Sequence, residues 1–302
     1  MKLSNLTTEQ INHKTTSIDT LSSLDIARLM NEEDELVARA LKDVLPMIAQ
    51  LVDAAVPVIN GNGRVFYVGT GSSGRLGVLD ASEIPPTFNL FPNQFIGIIA
   101  GGDEALRNSK PAIEDSESQG AAALEAYSVT SNDLVIGLTA SGRTPFVKGA
   151  IMYAASKQAF TGLICCNKAA AISPLVNVAV EIETGPEVIA GSTRLKAGTA
   201  QKMALNMFST ATMIKVGKVY QNLMVDLRVS NHKLRDRAIR IIQEATGSTL
   251  EEAARAFEAS NEQVKPAIIH LLTNSPVEKI SERLDYHNGN VRAVLVEFGL
   301  NR

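Results

Sequence analysis

Two segments of the 302-residue sequence place glycines and hydroxyl side chains directly after an apolar stretch that is typical of a buried strand. Residues 64–75 read RVFYVGTGSSGR, and residues 134–145 read LVIGLTASGRTP. If a helix follows each loop, its positive N-terminal end, the backbone N–H groups of the loop and the hydroxyls together form a site for an anion. Two such loops on one parallel sheet predict a small phosphorylated ligand.

The first loop also matches the G-x-G-x-x-G pattern of dinucleotide-binding folds, through Gly69, Gly71 and Gly74. That interpretation requires an acidic residue about 20 positions later, and Asp103 and Glu104 come too late, beyond a Gly-Gly turn. Tight strand–helix turns alone would explain the glycines but not the clustered hydroxyls. A phosphomonoester accepts several strong hydrogen bonds, so the sequence favours a sugar phosphate bound by the hydroxyls of Thr70, Ser72, Ser73, Ser141 and Thr144.

The composition is that of a soluble globular protein, with 45% hydrophobic and 20% charged residues. A formal net charge of −3 and the lack of a basic run argue against nucleic acid or a membrane surface as a partner. The first residues lack the apolar segment of a signal peptide, and no run reaches the ~18 apolar residues of a membrane span. The two cysteines, Cys165 and Cys166, are adjacent, which predicts small core residues and a cytoplasmic location.

Apolar periodicity predicts helix from Ser23 to Val58, with breaks at Pro46 and Pro57. A long helix with one apolar face is expected over 196–217. Between these helices, near-continuous apolar runs predict the strands of a parallel sheet covered on both faces. The strands are expected near residues 64–69, 94–100, 133–139, 160–166 and 177–183.

From about Asp226 onward the sequence is predicted to be helical, and residues 257–265 align with 284–292 as an approximate internal repeat. Each copy predicts a helix, a short polar turn and a second helix. The fold class is therefore α/β, with a five-stranded parallel sheet, N-terminal helices and a small all-helical C-terminal domain. The predicted divisions are an N-terminal helical arm over 1–55, a ligand-binding domain over 56–219 and the helical domain over 220–302.

A third segment, TGPEVIAGSTRLKAGTAQK over residues 184–202, leads into the long helix. Ser192 and Thr193 are the expected caps of its N-terminus. Arg194, Lys196 and Lys202 are expected to surround that helix end with positive charge. A purely structural helix start rarely combines so many hydroxyls, glycines and cations.

The strand–loop pattern, the ASGRT loop over 140–144 and this third segment resemble a sugar isomerase (SIS) domain. More narrowly, VLDASEIPPTF over 78–88, residues 185–202 and NLMVD over 222–226 resemble the N-acetylmuramic acid 6-phosphate etherases. The similarity extends over nearly the whole chain and implies a three-layer SIS sandwich. The related glucokinase regulatory protein shares this architecture without catalysis, so the residues that perform chemistry must decide between the two.

The resemblance implies a lyase that removes D-lactate from C3 of N-acetylmuramate 6-phosphate in cell-wall recycling. That reaction needs an acid and a base but no metal or cofactor. Glu83 and Glu114 match the family's catalytic positions; Glu83 is assigned as the acid for the leaving oxygen and Glu114 as the base for C2–H, although the roles could be exchanged. Glu187 is a third candidate, for ring opening or as the base. Further substrate contacts are expected from the hydroxyl residues named above and from Arg143, Ser192 and Arg194.

The spacing of Glu83 predicts a shared active site. If residues 73–82 form one helix that Pro85 ends, Glu83 lies ~13 Å along the axis from Gly74, too far to serve the sugar at its own loop. A homodimer in which Glu83 reaches the neighbouring subunit's site is therefore expected. Two alternatives remain: an aldose–ketose isomerase, which has no lactate leaving group to require Glu83, and a non-catalytic sugar-phosphate sensor, against which the presence of both glutamates argues.

Overall fold

The computed structural model describes residues 6–108, 113–227 and 231–300. The chain divides into two compact units. The first unit comprises residues 1–82 and 93–209, and the second comprises residues 83–92 and 210–302. The chain passes between the units three times: after residues 82 and 209 it does so within the helices Gly71–Phe88 and Lys196–Lys215, and after residue 92 in a loop.

The first unit is built on a five-stranded sheet in the order β2-β1-β3-β4-β5, in which every neighbouring pair is parallel. Strand β1 pairs with both of its neighbours at the same level, since Val65 lies opposite Phe95 on one side and Leu134 on the other. The sequence prediction of five parallel strands is confirmed, and no strand end is shifted by more than two residues. The strands are β1 (Val65–Gly69), β2 (Phe95–Ile99), β3 (Leu134–Thr139), β4 (Phe160–Cys165) and β5 (Val178–Glu181).

Helices cover the sheet on both faces. Along β1, Phe66 points into an apolar cluster with Phe146, whereas Tyr67 points to the other face, where its ring packs edge-on against Phe208 at 6.2 Å. This alternation is the normal consequence of strand geometry. The helices that include first-unit residues are α1 (Ser23–Lys42), α2 (Leu45–Asn60), α3 (Gly71–Phe88), α4 (Glu104–Arg107), α5 (Glu117–Glu125), α6 (Pro145–Ser156) and α7 (Lys196–Lys215).

Prolines interrupt these helices less than the sequence predicted. The break between α1 and α2 falls just before Pro46, which occupies the first turn of α2, where a missing N–H costs nothing. Pro57 lies inside α2 without ending it, and the prediction that Pro85 ends its helix is wrong, since α3 continues to Phe88. A proline φ near −65° is itself helical, and the buried side chain of Ile84 keeps this turn packed.

Among its described residues, the second unit contains a two-stranded antiparallel ladder, the ends of α3 and α7, and five helices of its own, and the predicted repeat is confirmed. Asn261 and Asn288 occupy the same turn position, with φ of 52° and 50°. In each copy the following residue closes the turn, because Glu262 N donates to Phe257 O and Gly289 N to Leu284 O. The elements are β6 (Val219–Tyr220), β7 (Leu223–Met224), α8 (His232–Thr246), α9 (Leu250–Ala259), α10 (Val264–Thr273), α11 (Val277–Tyr286) and α12 (Val291–Glu297).

No single helix among the described residues is both long and apolar enough to cross a membrane. Only α1 and α2 taken together reach the required length and composition, and the two are bent by 61°.

Two glycines allow α5 and α6 to pack backbone against backbone. A Cβ on Gly149 would lie 1.9 Å from the carbonyl oxygen of Glu117, and a Cβ on Gly120 would lie 1.9 Å from that of Phe146. A carbonyl oxygen cannot rotate away as a flexible side chain can. Any larger residue at either position must therefore push the helices apart.

We expect Gly149→Ala to lower the free energy of unfolding by about 1–3 kcal/mol through overpacking. The matched control is Gly198→Ala, because a Cβ there meets its nearest neighbour at an ordinary 3.7 Å. That variant should be neutral or slightly stabilising, since alanine restricts the unfolded chain. Urea unfolding of both variants measures the difference, and equal midpoints would contradict the packing argument.

Candidate functional site

The glycine–hydroxyl loops within segments 64–75 and 134–145 are called the first and second anion loops. The first is a tight turn between β1 and α3. A Cβ on Gly69 would lie 2.8 Å from Gly74 N, and a Cβ on Gly74 would lie 2.8 Å from Gly69 O, so this approach excludes any side chain at either position. Gly71 has a φ of 51°, which favours glycine. Thr70, Ser72 and the first N–H groups of α3 are thereby held at the carboxyl end of β1.

The second anion loop follows the adjacent strand, β3. The hydroxyl of Thr139 lies 2.7 Å from the hydroxyl of Thr144 and 3.3 Å from that of Ser141, and α6 begins one residue later. Since β1 and β3 are neighbours while β2 lies on the other side of β1, the two loops meet where the strand order reverses. Ligands of open parallel sheets bind at this position.

The two loops enclose a cleft of about 190 Å³. It contains no Lys or Arg among its described lining residues, so the groups that it offers to an anion are hydroxyls, backbone N–H groups and helix ends. Of the residues predicted to bind substrate, it brings together Thr70, Ser72, Ser73, Ser141 and Thr144, and it also contains Glu114. The remaining lining residues are Glu9, Gly71, Thr139, Ala140 and Thr193.

Like Ser141 and Thr144, which bond to Thr139, two more of the predicted hydroxyls already have hydrogen-bond partners within the protein. The Thr70 hydroxyl donates to Glu114 Oε2 at 3.2 Å, which fixes one oxygen of an otherwise exposed carboxylate. The Ser73 hydroxyl donates to Gln201 Oε1 at 2.8 Å, in the buried interior. Ser72 has no such partner within the described residues, so its hydroxyl is available to a ligand.

Glu187 lies away from the cleft lining and is fully buried. Its two oxygens accept hydrogen bonds from the backbone N–H groups of Lys196 and Ala197, each at 2.9 Å. The expectation that Ser192 and Thr193 cap α7 is therefore wrong, because a carboxylate satisfies the free N–H groups of this helix end. Burial raises the pKa of Glu187 despite those bonds.

The expected positive charge around the start of α7 is largely neutralised. Lys196 is 2% exposed, and its ammonium lies 2.6 Å from Glu33 Oε2. Lys202 pairs with Asp80 at 2.9 Å. Arg194 is exposed and lies outside the cleft lining, as do Arg143 and Ser192.

The Glu33–Lys196 pair is completed by polar groups from the N-terminal segment. Asn12 Nδ2 donates to Glu33 Oε2 at 2.9 Å, and Lys14 lies 3.1 Å from the other carboxylate oxygen. Burial alone would raise the pKa of Glu33, but hydrogen bonds from Lys196 and Lys14 outweigh it and lower the pKa.

Glu83 belongs to the second unit and is exposed on α3. The shared-site inference assumed that one helix runs through Glu83 and that Pro85 ends it. The first assumption is met, because α3 is one helix through Glu83, but α3 ends later than expected, at Phe88. The assignment of Glu83 to the neighbouring subunit's site stays a prediction.

Sequence reasoning missed Glu9 and Thr193 as lining residues. Thr193 was read only as a helix cap, and Glu9 belongs to a short 3₁₀ turn, Thr7–Glu9, with no motif around it. No local pattern identifies Glu9, since its position depends on contacts with residues far along the chain.

The two cysteines are buried free thiols, as predicted. Burial raises the pKa of Cys165 to about 12 and raises that of Cys166 well above its usual value. Cys165 Sγ lies 3.4 Å from Asn167 O, and Cys166 Sγ lies 3.5 Å from Ala197 O. Neither thiol is a nucleophile at neutral pH. Across the described ranges, no three His, Cys, Asp or Glu side chains form a group that could hold a metal ion.

Comparison with protein families and known proteins gives a consistent result. Residues 47–155 match the N-terminal SIS domain of glucokinase regulatory protein, and residues 221–282 match its C-terminal lid domain. The chain is 51% identical to N-acetylmuramic acid 6-phosphate etherase 1 of Bacillus licheniformis, over 97% of this chain and 96% of that protein. It is 50% identical to N-acetylmuramic acid 6-phosphate etherase of Pectobacterium atrosepticum, over 98% of both chains.

Among solved structures, a phosphoheptose isomerase from Francisella tularensis superposes with a TM-score of 0.50 at 16% identity. The match covers 64% of this chain and 100% of that chain. At this identity it establishes the fold alone, and it confirms the predicted SIS-type sandwich.

We expect Lys196→Met to lower the free energy of unfolding by about 3–5 kcal/mol, because Glu33 would remain buried with less compensation. The matched control is Lys168→Met, which breaks a similarly short (2.7 Å) but exposed pair with Glu183 and should change stability little. Urea unfolding at neutral pH measures both.

The stability difference between wild type and Lys196→Met should depend on pH. Since the pKa of Glu33 is lowered on folding, its contribution is present above the unfolded-state pKa and is lost as the pH falls through the folded-state value. The difference between wild type and Lys196→Met should therefore shrink in acid. A difference that stays constant down to pH 2 would contradict this account.

Proposed function

The chain belongs to the N-acetylmuramic acid 6-phosphate etherase family, and from this premise we propose that its cleft cleaves the D-lactyl ether of N-acetylmuramate 6-phosphate. The products are N-acetylglucosamine 6-phosphate and D-lactate, and the enzyme is a carbon–oxygen lyase of amino-sugar recycling. The observation that carries the proposal is a carboxylate, Glu114, hydrogen-bonded within a cleft of hydroxyls and helix N-termini. Such a cleft offers an anion site and a base side by side.

The phosphate is assigned to the space between the two loops. Ser72, Ser141 and Thr144 supply hydroxyl donors there, and the N-terminal ends of α3 and α6 supply N–H groups and a positive field. Ser73 contributes its backbone rather than its hydroxyl, which is already bonded to Gln201. A phosphate held at this end places the sugar carbons toward Glu114.

Glu114 is assigned as the base. The Thr70 hydroxyl occupies Oε2, which leaves Oε1 to take the proton from C2 of the open-chain sugar, whose aldehyde makes that proton acidic. As the C2–C3 double bond forms, the C3–O bond breaks and the departing lactate oxygen takes a proton from Glu83. Water then adds at C3 with Glu83 as its base, and a proton returns to C2.

The activity is tested by incubating the purified protein with N-acetylmuramate 6-phosphate in H₂¹⁸O, followed by mass spectrometry. Lactate release with ¹⁸O at C3 of the sugar supports elimination and hydration. Isomerisation or C2–H exchange without lactate release would favour an isomerase instead. Binding without any change in the ligand would favour a sensor.

Variants of Glu83 and Glu114 should distinguish proton removal at C2 from the release of lactate at C3. We expect Glu114→Gln to lose both lactate release and exchange of C2–H with D₂O, by a factor of about 10²–10⁴. Glu83→Gln should lose lactate release by a similar factor yet keep C2–H exchange, because only the leaving oxygen lacks its acid. Mass spectrometry in D₂O measures both reactions. The opposite pattern would show that the acid and base roles are exchanged.

A homodimer with shared sites is part of the proposal, and a mixed dimer tests it. A dimer of one Glu83→Gln chain and one Glu114→Gln chain, isolated through two different tags, would hold one intact site if Glu83 serves its neighbour. We then expect about half the wild-type activity per dimer, although each parent variant is inactive. An inactive mixed dimer would place Glu83 and Glu114 of one chain in the same site.

The reaction is assigned to the cytoplasm, where free thiols such as Cys165 and Cys166 persist.

A further inference from the structure

Glu9 lines the cleft although it is far from both anion loops in the sequence. Its side chain is half-buried, and Oε2 lies 3.5 Å from the position that a Cβ on Gly191 would take. Within the part of the chain that the structure describes, no N–H or O–H group donates to this carboxylate. Its hydrogen-bonding capacity is therefore directed at whatever fills the cleft.

The turn that carries Glu9 is attached to the second anion loop through Asn167. The Thr7 hydroxyl donates to Asn167 Oδ1 at 3.0 Å, and Asn167 Nδ2 donates to the Thr8 hydroxyl and to Ala140 O, each at 3.0 Å. Thr8 and Asn167 are buried, and Ala140 itself lines the cleft. One amide side chain thus fixes the position of Glu9 relative to the hydroxyls of that loop.

A second attachment follows Glu9 in the chain. Asn12 donates to Glu33, and the Thr15 hydroxyl donates to Val188 O at 2.9 Å. The segment is held on both sides of Glu9, so the carboxylate is ordered before any ligand binds. Preorganisation of this kind reduces the entropic cost of binding.

The charge of the cleft determines which part of a ligand Glu9 can contact. A phosphate in contact with a carboxylate is repelled, and the described lining holds no Lys or Arg that would separate the two. The phosphate must therefore lie toward Ser72 and Thr144, and Glu9 must face an uncharged part of the ligand. A carboxylate is an acceptor only, and sugar hydroxyls are donors.

We propose that Glu9 is a substrate-binding residue that accepts a hydrogen bond from a neutral hydroxyl of the sugar and so orients the sugar between the phosphate loops and Glu114. The inference rests on the proposed function for the identity of the sugar phosphate. It makes the N-terminal turn a part of the active site.

The test compares two ligands by calorimetry with Glu9→Gln. Gln keeps the shape of the side chain but loses the negative charge and one acceptor. We expect the variant to bind N-acetylglucosamine 6-phosphate at least about 10-fold more weakly than wild type. It should bind inorganic phosphate equally well or more tightly, because a negative charge has been removed from the cleft. Equal weakening for both ligands, or no change for either, would overturn the inference.

Gln10→Ala is the matched control, since Gln10 is the next residue, is exposed and lies outside the cleft lining. It should leave both affinities unchanged. If Glu9→Gln fails to fold, Glu9→Asp keeps the charge but retracts the oxygens by one methylene, and it should weaken only the sugar phosphate. A wild-type protein that binds phosphate but not the sugar phosphate would overturn the proposed function, and this inference with it.

Discussion

A buried lysine ammonium needs a counter-charge, and in the first unit the carboxylate of Glu33 provides it for Lys196. The geometry of the cleft depends on this ion pair. Lys196, at the start of α7, reaches Glu33 on α1, and Asn12 and Lys14 complete the shell around that carboxylate. Two charges taken out of water are stable together only if their hydrogen bonds are satisfied. The pair therefore fixes the N-terminal segment, α1 and α7 relative to one another, and the cleft residues Glu9 and Thr193 come from the two chain segments that it holds.

If the proposed function is right, the cleft holds the phosphate through directed hydrogen bonds more than through charge. Among the residues described as lining it there is no cationic side chain, whereas hydroxyls and helix N-termini are numerous. Hydrogen bonds from such groups have defined directions, and helix ends contribute only partial charges. A long cationic side chain could follow a displaced phosphate, but a backbone N–H group cannot. This arrangement suits the proposed reaction, in which C2 of the open-chain sugar must stay beside the carboxylate of Glu114.

The sheet and both anion loops could be predicted from the sequence because their signals are local. Runs such as LVIGLT predict a strand, and the glycines next to hydroxyls predict the turn and the helix start that follow, all within a dozen residues. The partners of Lys196 and the position of Glu9 could not be predicted, since each depends on a contact between segments far apart in the chain. Glu187 shows a third kind of difference: its sequence context suggested chemistry, and the structure adds a structural role at the start of α7 that the sequence did not predict. Pro85 was given its usual helix-ending meaning, which packing overrides in α3.

The adjacent thiols of Cys165 and Cys166, at the end of β4, can report the local opening of the folded protein. Successive residues of an extended strand point to opposite faces, and Cys165 joins the apolar cluster on one face whereas Cys166 faces the backbone of α7. Because both thiols are buried and protonated in the folded state, an alkylating reagent can reach them only when a layer of helices moves away. The rates at which the two sulfurs react would thus report separately on the detachment of each helical layer from a single position in the sheet.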